Sequence, residues 1–249
     1  MLGAALRNSF FRYGWDTRCR NLVPAMLLRP LLERARRDDG RALLLDVGCG
    51  SRGVATFLPK VPVQGVDLPQ DDVTETADFK FKVGSILDLP FADQSFAYVS
   101  CVDVVEHLPT EIRERAIGEL LRVAEHGVLI ACPHGDQARR CDERFERGLR
   151  RRGRPLPSWL EEHLRQAYPT VESLSRELHE AAQRQGRSIE IAVSYSEPAL
   201  LCQAIRSTSM RSTLLYAGAN LLFGLALPLV PAPGPDDSYR CVLMVSMSR

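Results

Sequence analysis

The stretch Leu43-Leu44-Leu45-Asp46-Val47-Gly48-Cys49-Gly50-Ser51-Arg52-Gly53 decides the fold. An apolar run ends in an acid, and a glycine-rich turn follows at once. A strand buried on both faces of a parallel sheet reads this way where it hands over to a loop. Glycine at 48 and 50 removes the Cβ atoms that would hold a ligand off the backbone, and it permits positive φ. The spacing also satisfies G-x-G-x-x-G, with Asp67 lying 19 residues beyond Gly48. A lone match of that kind fits a dinucleotide-binding fold as well, so the surrounding residues must decide.

Outward from the loop, strand signals recur at 42–47, 63–67, 79–83, 96–101 and 127–132. Continuous apolar runs such as Val128-Leu129-Ile130-Ala131-Cys132 suit strands covered on both faces. Between the last two lies a helical pattern over 111–123, with Ile112, Ala116, Ile117, Leu120 and Leu121 on one face and Thr110 as its expected cap. Alternating strands and helices imply a parallel sheet with right-handed crossovers. Ligands of such sheets bind outside the carboxyl ends of the strands.

The alternation breaks after Pro133. Residues 136–169 are polar and arginine-rich. Thr170 then caps a helix carrying Val171, Leu174, Leu178 and Ala181 on one stripe. Residues 189–193 alternate like a strand, an apolar segment spans 214–230, and the proline-rich turn 231–235 leads to a last strand at 240–245. The expected architecture is an α/β fold, a doubly wound, mostly parallel seven-stranded sheet with helices on both faces. It forms one domain over 1–249. Residues 1–38 are expected to make a helical cap over the cofactor, and 136–187 and 200–235 to cover the substrate.

Bulk properties exclude several classes. A net charge of +1 marks no partner by global field, so nucleic acid is not expected. Seven cysteines, Cys19, Cys49, Cys101, Cys132, Cys141, Cys202 and Cys241, include no C-x-x-C pair. This reads as a reduced, cytoplasmic protein without a disulfide frame. The first residues are too short in apolar length for a signal peptide. They are also arginine-rich and acid-poor, which leaves a transit peptide as the lesser reading. The apolar segment 214–230 is broken by Gly218, Asn220, Gly224 and Pro228 and is short for a span. A strand that must rejoin the sheet follows it. Packed core or lid is expected there, with peripheral membrane contact as the alternative.

Two acids carry the first chemistry. Asp67 ends the second strand beside the glycine loop, where a carboxylate can accept both ribose hydroxyls of an adenosine. The competing reading is a turn-forming aspartate before Leu68-Pro69. Asp46 stands two residues before the first glycine, where it would repel a pyrophosphate and suit a ligand with a cationic end. Its competing reading is a strand-end residue that bonds the loop backbone. Leu58-Pro59-Lys60 also cuts short the helix after the loop, which disfavours a pyrophosphate held on a helix N-terminus.

With these residues on the page, the chain resembles a class I S-adenosylmethionine-dependent methyltransferase of the methyltransferase type 11 group. The resemblance rests on Asp46-Val47-Gly48-Cys49-Gly50, Asp67, Asp88-Leu89-Pro90-Phe91 with Ser95-Phe96, and Glu106-His107-Leu108. It covers about residues 40–135. It implies that Asp46, Gly48, Cys49 and Gly50 surround the methionine part of S-adenosylmethionine, and that Asp67 binds the ribose. It further implies that Leu68 packs on adenine with Ser85 and Ile86 at its edge, and that Cys101 and Val102 lie near the methionine. Ser85 stands where the family often has an aspartate.

The resemblance implies methyl transfer to an acceptor. Alignment supplies much of the rate of such a displacement, and a hydroxyl nucleophile also benefits from a base. His134 after the fifth strand and His107 after the fourth are the candidates. The five histidines show no ligand spacing such as H-E-x-x-H, so no metal is expected. Residues 138–154 carry eight arginines against three acids. That is read as a solvated helix face, or as attraction to an anionic acceptor or lipid headgroup. The expected acceptor is a small molecule, such as a hydroxyl of a glycan or lipid-linked intermediate. The rivals are an NAD-dependent Rossmann oxidoreductase and a non-catalytic cofactor-binding module.

Overall fold

The first strand, β1 (Leu44–Val47), lies at the centre of a seven-stranded sheet of order β3-β2-β1-β4-β5-β7-β6. The others are β2 (Val63–Asp67), β3 (Phe79–Val83), β4 (Phe96–Val102), β5 (Ala124–Pro133), β6 (Ile189–Pro198) and β7 (Ser238–Met247). This computed structural model describes residues 15–40, 43–211 and 232–247, together with 214–216, 218, 219 and 222. All seven expected strands are present. β1 to β5 pair in parallel, with Leu45 opposite Val99 and Asp46 opposite Ser100. β7 runs antiparallel to both neighbours, with Cys132 opposite Cys241 and Ser196 opposite Arg240.

Period-two alternation sends neighbouring residues to opposite faces of the sheet. Leu45, Val99, Val128, Ile130 and Leu243 meet Ile117, Leu120 and Leu121 of α2 (Thr110–Val123) and Leu174, Leu178 and Ala181 of α5 (Val171–Arg184). Leu44, Val63, Phe79, Leu129 and Val242 meet Ala25, Leu28 and Leu32 of α1 (Trp15–Asp39). α1 therefore covers a face of the sheet, and Arg20 of its early turns pairs with Asp103 at 2.9 Å. Residues 1–14, the first part of the expected cap, lie outside the described residues.

Two caps can be compared with expectation. Thr170 accepts the Ser173 amide at 3.1 Å while the Ser173 hydroxyl accepts the Thr170 amide, a complete capping box. Thr110 is instead the first residue of α2, and Pro109 stands at the cap without a side-chain bond. The arginine-rich stretch folds mainly as α3 (Gly135–Arg150), followed by α4 (Ser158–Arg165). After β6 comes α6 (Ala199–Arg211). Most of the apolar segment 214–230 lies outside the described residues, and among those described no helix is long and apolar enough to cross a membrane. The seven cysteines are buried, and none forms a disulfide.

Candidate functional site

The chain order reverses between β1 and β4, so the ligand crevice opens at their carboxyl ends. There the glycine loop leaves β1 with φ of 74° at Gly48 and 53° at Gly50. A Cβ at Gly48 would lie 2.1 Å from Val104 Cγ2, whereas one at Gly50 would meet nothing within 4 Å. The space above Gly50 is open, and Asp67 closes its side. Asp67 Oδ2 accepts the Gly50 amide at 2.7 Å and Oδ1 accepts the Leu68 amide at 2.7 Å. Each oxygen keeps a lone pair for a further donor. Leu68 and Val83, at the ends of β2 and β3, leave 62% and 55% of their surface uncovered. An open glycine turn, a carboxylate and bare apolar side chains at the strand ends suit the ribose and adenine of a nucleoside.

Several expected contacts fall elsewhere. Asp46 is buried, and its carboxyl lies under the loop rather than in the crevice. Oδ2 accepts the Val54 amide at 2.9 Å and Oδ1 accepts the Ser100 hydroxyl at 2.7 Å. Burial pushes its pKa up to about 7, against those two bonds. It ties the loop to β4, so discrimination between cofactors by its charge has no footing in the geometry. A Cβ at Gly53 would stand 2.0 Å from Asp46 Oδ2, which explains that glycine.

The side chains of Cys49 and Cys101 are buried in the core, where burial raises both thiol pKa values. Val102 is buried with the α1 cluster. Those three can offer only backbone to a ligand. The Ser85 hydroxyl accepts the Leu87 amide at 3.2 Å in a turn beside half-buried Ile86. After the loop comes a five-residue 3-10 turn, Gly53–Phe57, in place of a long helix. Arg52 reaches across to the Phe79 ring, 5.4 Å from its centroid.

Beyond Val104 lies a cavity of about 340 Å³, lined among others by Asp103, Glu106, His107, Trp159, His163 and Arg240. His107 belongs to this wall; His134 does not. His134 Nε2 sits 2.8 Å from Ser238 Oγ, whose hydroxyl donates to Pro235 O, so Nε2 carries a proton. The ring is 5.5 Å from Tyr195 and burial lowers its pKa. It packs among β6 and β7 and is not among the residues that line the cavity.

The wall is a network of paired charges. Asp103, at φ 55°, holds Arg20 and Arg240; Arg240 also donates to Glu197, at φ 59°, at 2.7 Å. Asp142 of α3 is wholly buried and takes Arg206, the Tyr239 hydroxyl at 2.9 Å, the Tyr168 hydroxyl at 2.5 Å and His163 Nδ1 at 3.0 Å. Burial works against its charge, but the bonds from His163, Arg206 and Tyr168 hold its pKa below the ordinary range. Arg206 lies over the rings of Tyr239, Trp159 and Phe145.

Glu106 is buried in the 3-10 turn after β4, and burial pushes its pKa up to about 8. Beside it, burial and then His163 lower the pKa of His107. Among the described residues, Glu106, His107 and His163 bring one ligand atom each within 4.8 Å of one another. The sequence showed no ligand spacing, and this grouping arises only in the fold. His107 and His163 lie on a 3-10 turn and on α4, so no local spacing could show it.

Comparison with known proteins agrees with this geometry. Residues 45–132 match the methyltransferase domain family. An ajmaline N-methyltransferase from Rauvolfia serpentina is 27% identical over 136 residues, 47% of this chain and 46% of that protein. The chain covers under half the length of the curated relatives it matches. A crystal structure of a putative methyltransferase from an antibiotic biosynthesis pathway of Anabaena variabilis superposes with a TM-score of 0.56 at 15% identity, covering 91% of this chain and 98% of that one. Magnesium protoporphyrin IX methyltransferase of Synechocystis, solved with bound SAH, gives 0.52 at 12%, covering 99% and 95%.

Proposed function

We propose, from the premise that this chain is a class I S-adenosylmethionine-dependent methyltransferase, that it transfers the cofactor's methyl group to a hydroxyl of an acceptor held in the 340 Å³ cavity. The carrying observation is the pair of left-handed glycines tied to Asp67, with Val104 against Gly48 and its sequence neighbour Asp103 in the cavity lining. In this reading Asp67 takes the ribose hydroxyls and Leu68 packs on the adenine, with Ser85 and Ile86 at its edge. The backbone of Gly48, Cys49, Gly50, Cys101 and Val102 borders the methionine. Asp46 holds that backbone from below. Bound there, the cofactor supplies an electrophilic methyl on a sulfonium. The protein orients the acceptor oxygen in line with it, since alignment is worth much of the barrier. Glu106, His107 and His163 face the acceptor from the cavity wall.

Trp159, Phe145 and Tyr239 give the cavity aromatic faces, and the paired arginines and acids give it polar edges. Both suit a glycan or lipid-linked hydroxyl. Leu200, Leu214, Leu215 and Leu222 are exposed, and a lipid-linked acceptor would bring them to a membrane surface.

Calorimetry tests the cofactor half of the reading. S-adenosylmethionine or its demethylated product is expected to bind with one-to-one stoichiometry and NAD weakly. Asp67→Ala is expected to cost about 1.5–3 kcal/mol for each lost charged hydrogen bond, tenfold or more in affinity. Tighter binding of NAD, or unchanged affinity in the variant, would sink it. Acceptors carrying hydroxyl groups can then be screened by mass for the gain of one methyl.

A further inference from the structure

The two imidazoles at the cavity wall face each other in a way that asks for a cation. His107 Nδ1 lies 2.8 Å from Glu162 Oε2, and His163 Nδ1 lies 3.0 Å from Asp142 Oδ2. A carboxylate can only accept, so both Nδ1 atoms carry the proton. In the neutral ring the other nitrogen then presents a lone pair. Those nitrogens, His107 Nε2 and His163 Nε2, are 3.3 Å apart. Two lone pairs aimed at one point repel unless positive charge lies between them.

Glu106 adds a third donor. Its Oε1 is 3.7 Å from His163 Nε2, and neither of its oxygens has a hydrogen-bond partner although the residue is 1% exposed. A polar group so deeply buried without a partner is costly. One cation would satisfy all three groups.

We propose that Glu106, His107 and His163 form a mononuclear site for a divalent transition cation of the zinc type, with its open position facing the cavity. Two imidazoles and one carboxylate are a donor set that zinc takes when it keeps a position free. Tetrahedral zinc with bonds of about 2.0–2.1 Å sets neighbouring ligand atoms about 3.3–3.4 Å apart, and the two nitrogens are already at that spacing. Octahedral magnesium would need about 3.0 Å and prefers an all-oxygen shell. Glu162 and Asp142 supply the carboxylate behind each histidine, which orients the ring and raises its basicity. The open position would take and orient an oxygen of the acceptor. That use of the ion rests on the methyl-transfer reading; the binding of the ion does not.

The test takes the full chain, stripped with a chelator and dialysed, and titrates it with Zn²⁺, and separately with Mg²⁺ and Co²⁺. One equivalent of Zn²⁺ is expected, and Co²⁺ should give the intense visible absorption of a tetrahedral centre. His163→Gln is expected to abolish uptake. Glu162→Gln, at a half-exposed position that leaves the core untouched, is expected to weaken it about 10–100-fold. S-adenosylmethionine affinity, measured on the same samples, should be unchanged in both. If the methyl-transfer reading is wrong, cofactor binding fails while Zn²⁺ uptake persists. No stoichiometric Zn²⁺ uptake by the wild type, uptake of Mg²⁺ in its place, or wild-type affinity in both variants would overturn the metal site.

Discussion

Asp46 couples the loop to pH. Its pKa rises from about 3.9 in an unfolded chain to about 7 in the fold. Between those values the folded state holds a proton that the unfolded state has lost. The stability it contributes is therefore full below about pH 4 and falls as pH rises to about 7, by up to about 1.4 kcal/mol per pH unit. Asp46→Asn is expected to remove that slope in urea titrations at pH 4 to 7; an unchanged slope would show the carboxyl to be ionised throughout. His134 gives a second residue-scale expectation. Because it bonds Ser238, His134→Gln should cost about 1–2 kcal/mol of stability and leave turnover intact. A drop in turnover of about 100-fold would restore it as a base. The glycine loop and Asp67 were legible as a string because their chemistry is local. Which of the two readings of Asp46 holds in the fold was not legible, because a strand-end side chain follows the pleat, and here it turns under the loop to Val54 and Ser100.

Elements were legible where one period dominated. β5 reads as a continuous apolar run and α5 as a 3.6-residue stripe opened by Thr170. Thr170→Ala is expected to cost about 1 kcal/mol through loss of the capping box, as a shift in the urea midpoint without a change in slope. α4 was harder. Trp159 and His163 sit in an eight-residue helix amid a long polar stretch, and they gain meaning only when His163 meets Glu106 and Asp142 from two other elements. A spacing rule cannot report a contact whose partners come from separate turns and helices. The same holds for Arg206, whose three aromatic neighbours lie on α3, α4 and β7.

At the scale of the molecule, seven strands were countable but their order was not, since pairing partners leave no local mark. β7 enters between β5 and β6 and brings Tyr239 and Arg240 to the cavity wall. A chain stopped before Ser238 is expected to lose both the cavity and the ordered β6, seen as binding of a hydrophobic dye and loss of near-ultraviolet dichroism. Retention of a native spectrum would contradict it. The insertion of β7 also has a meaning in time. A ribosome releases β5 and β6 long before the strand that joins them. Until β7 arrives, the edge of β5 stays unpaired, an apolar ladder open to any passing strand. The nascent protein can assemble its glycine loop early, from β1 to β4, but it can complete the cavity wall only once β7 has emerged. A partly made chain would thus carry its glycine loop and Asp67 before it has the cavity that Tyr239 and Arg240 help to line.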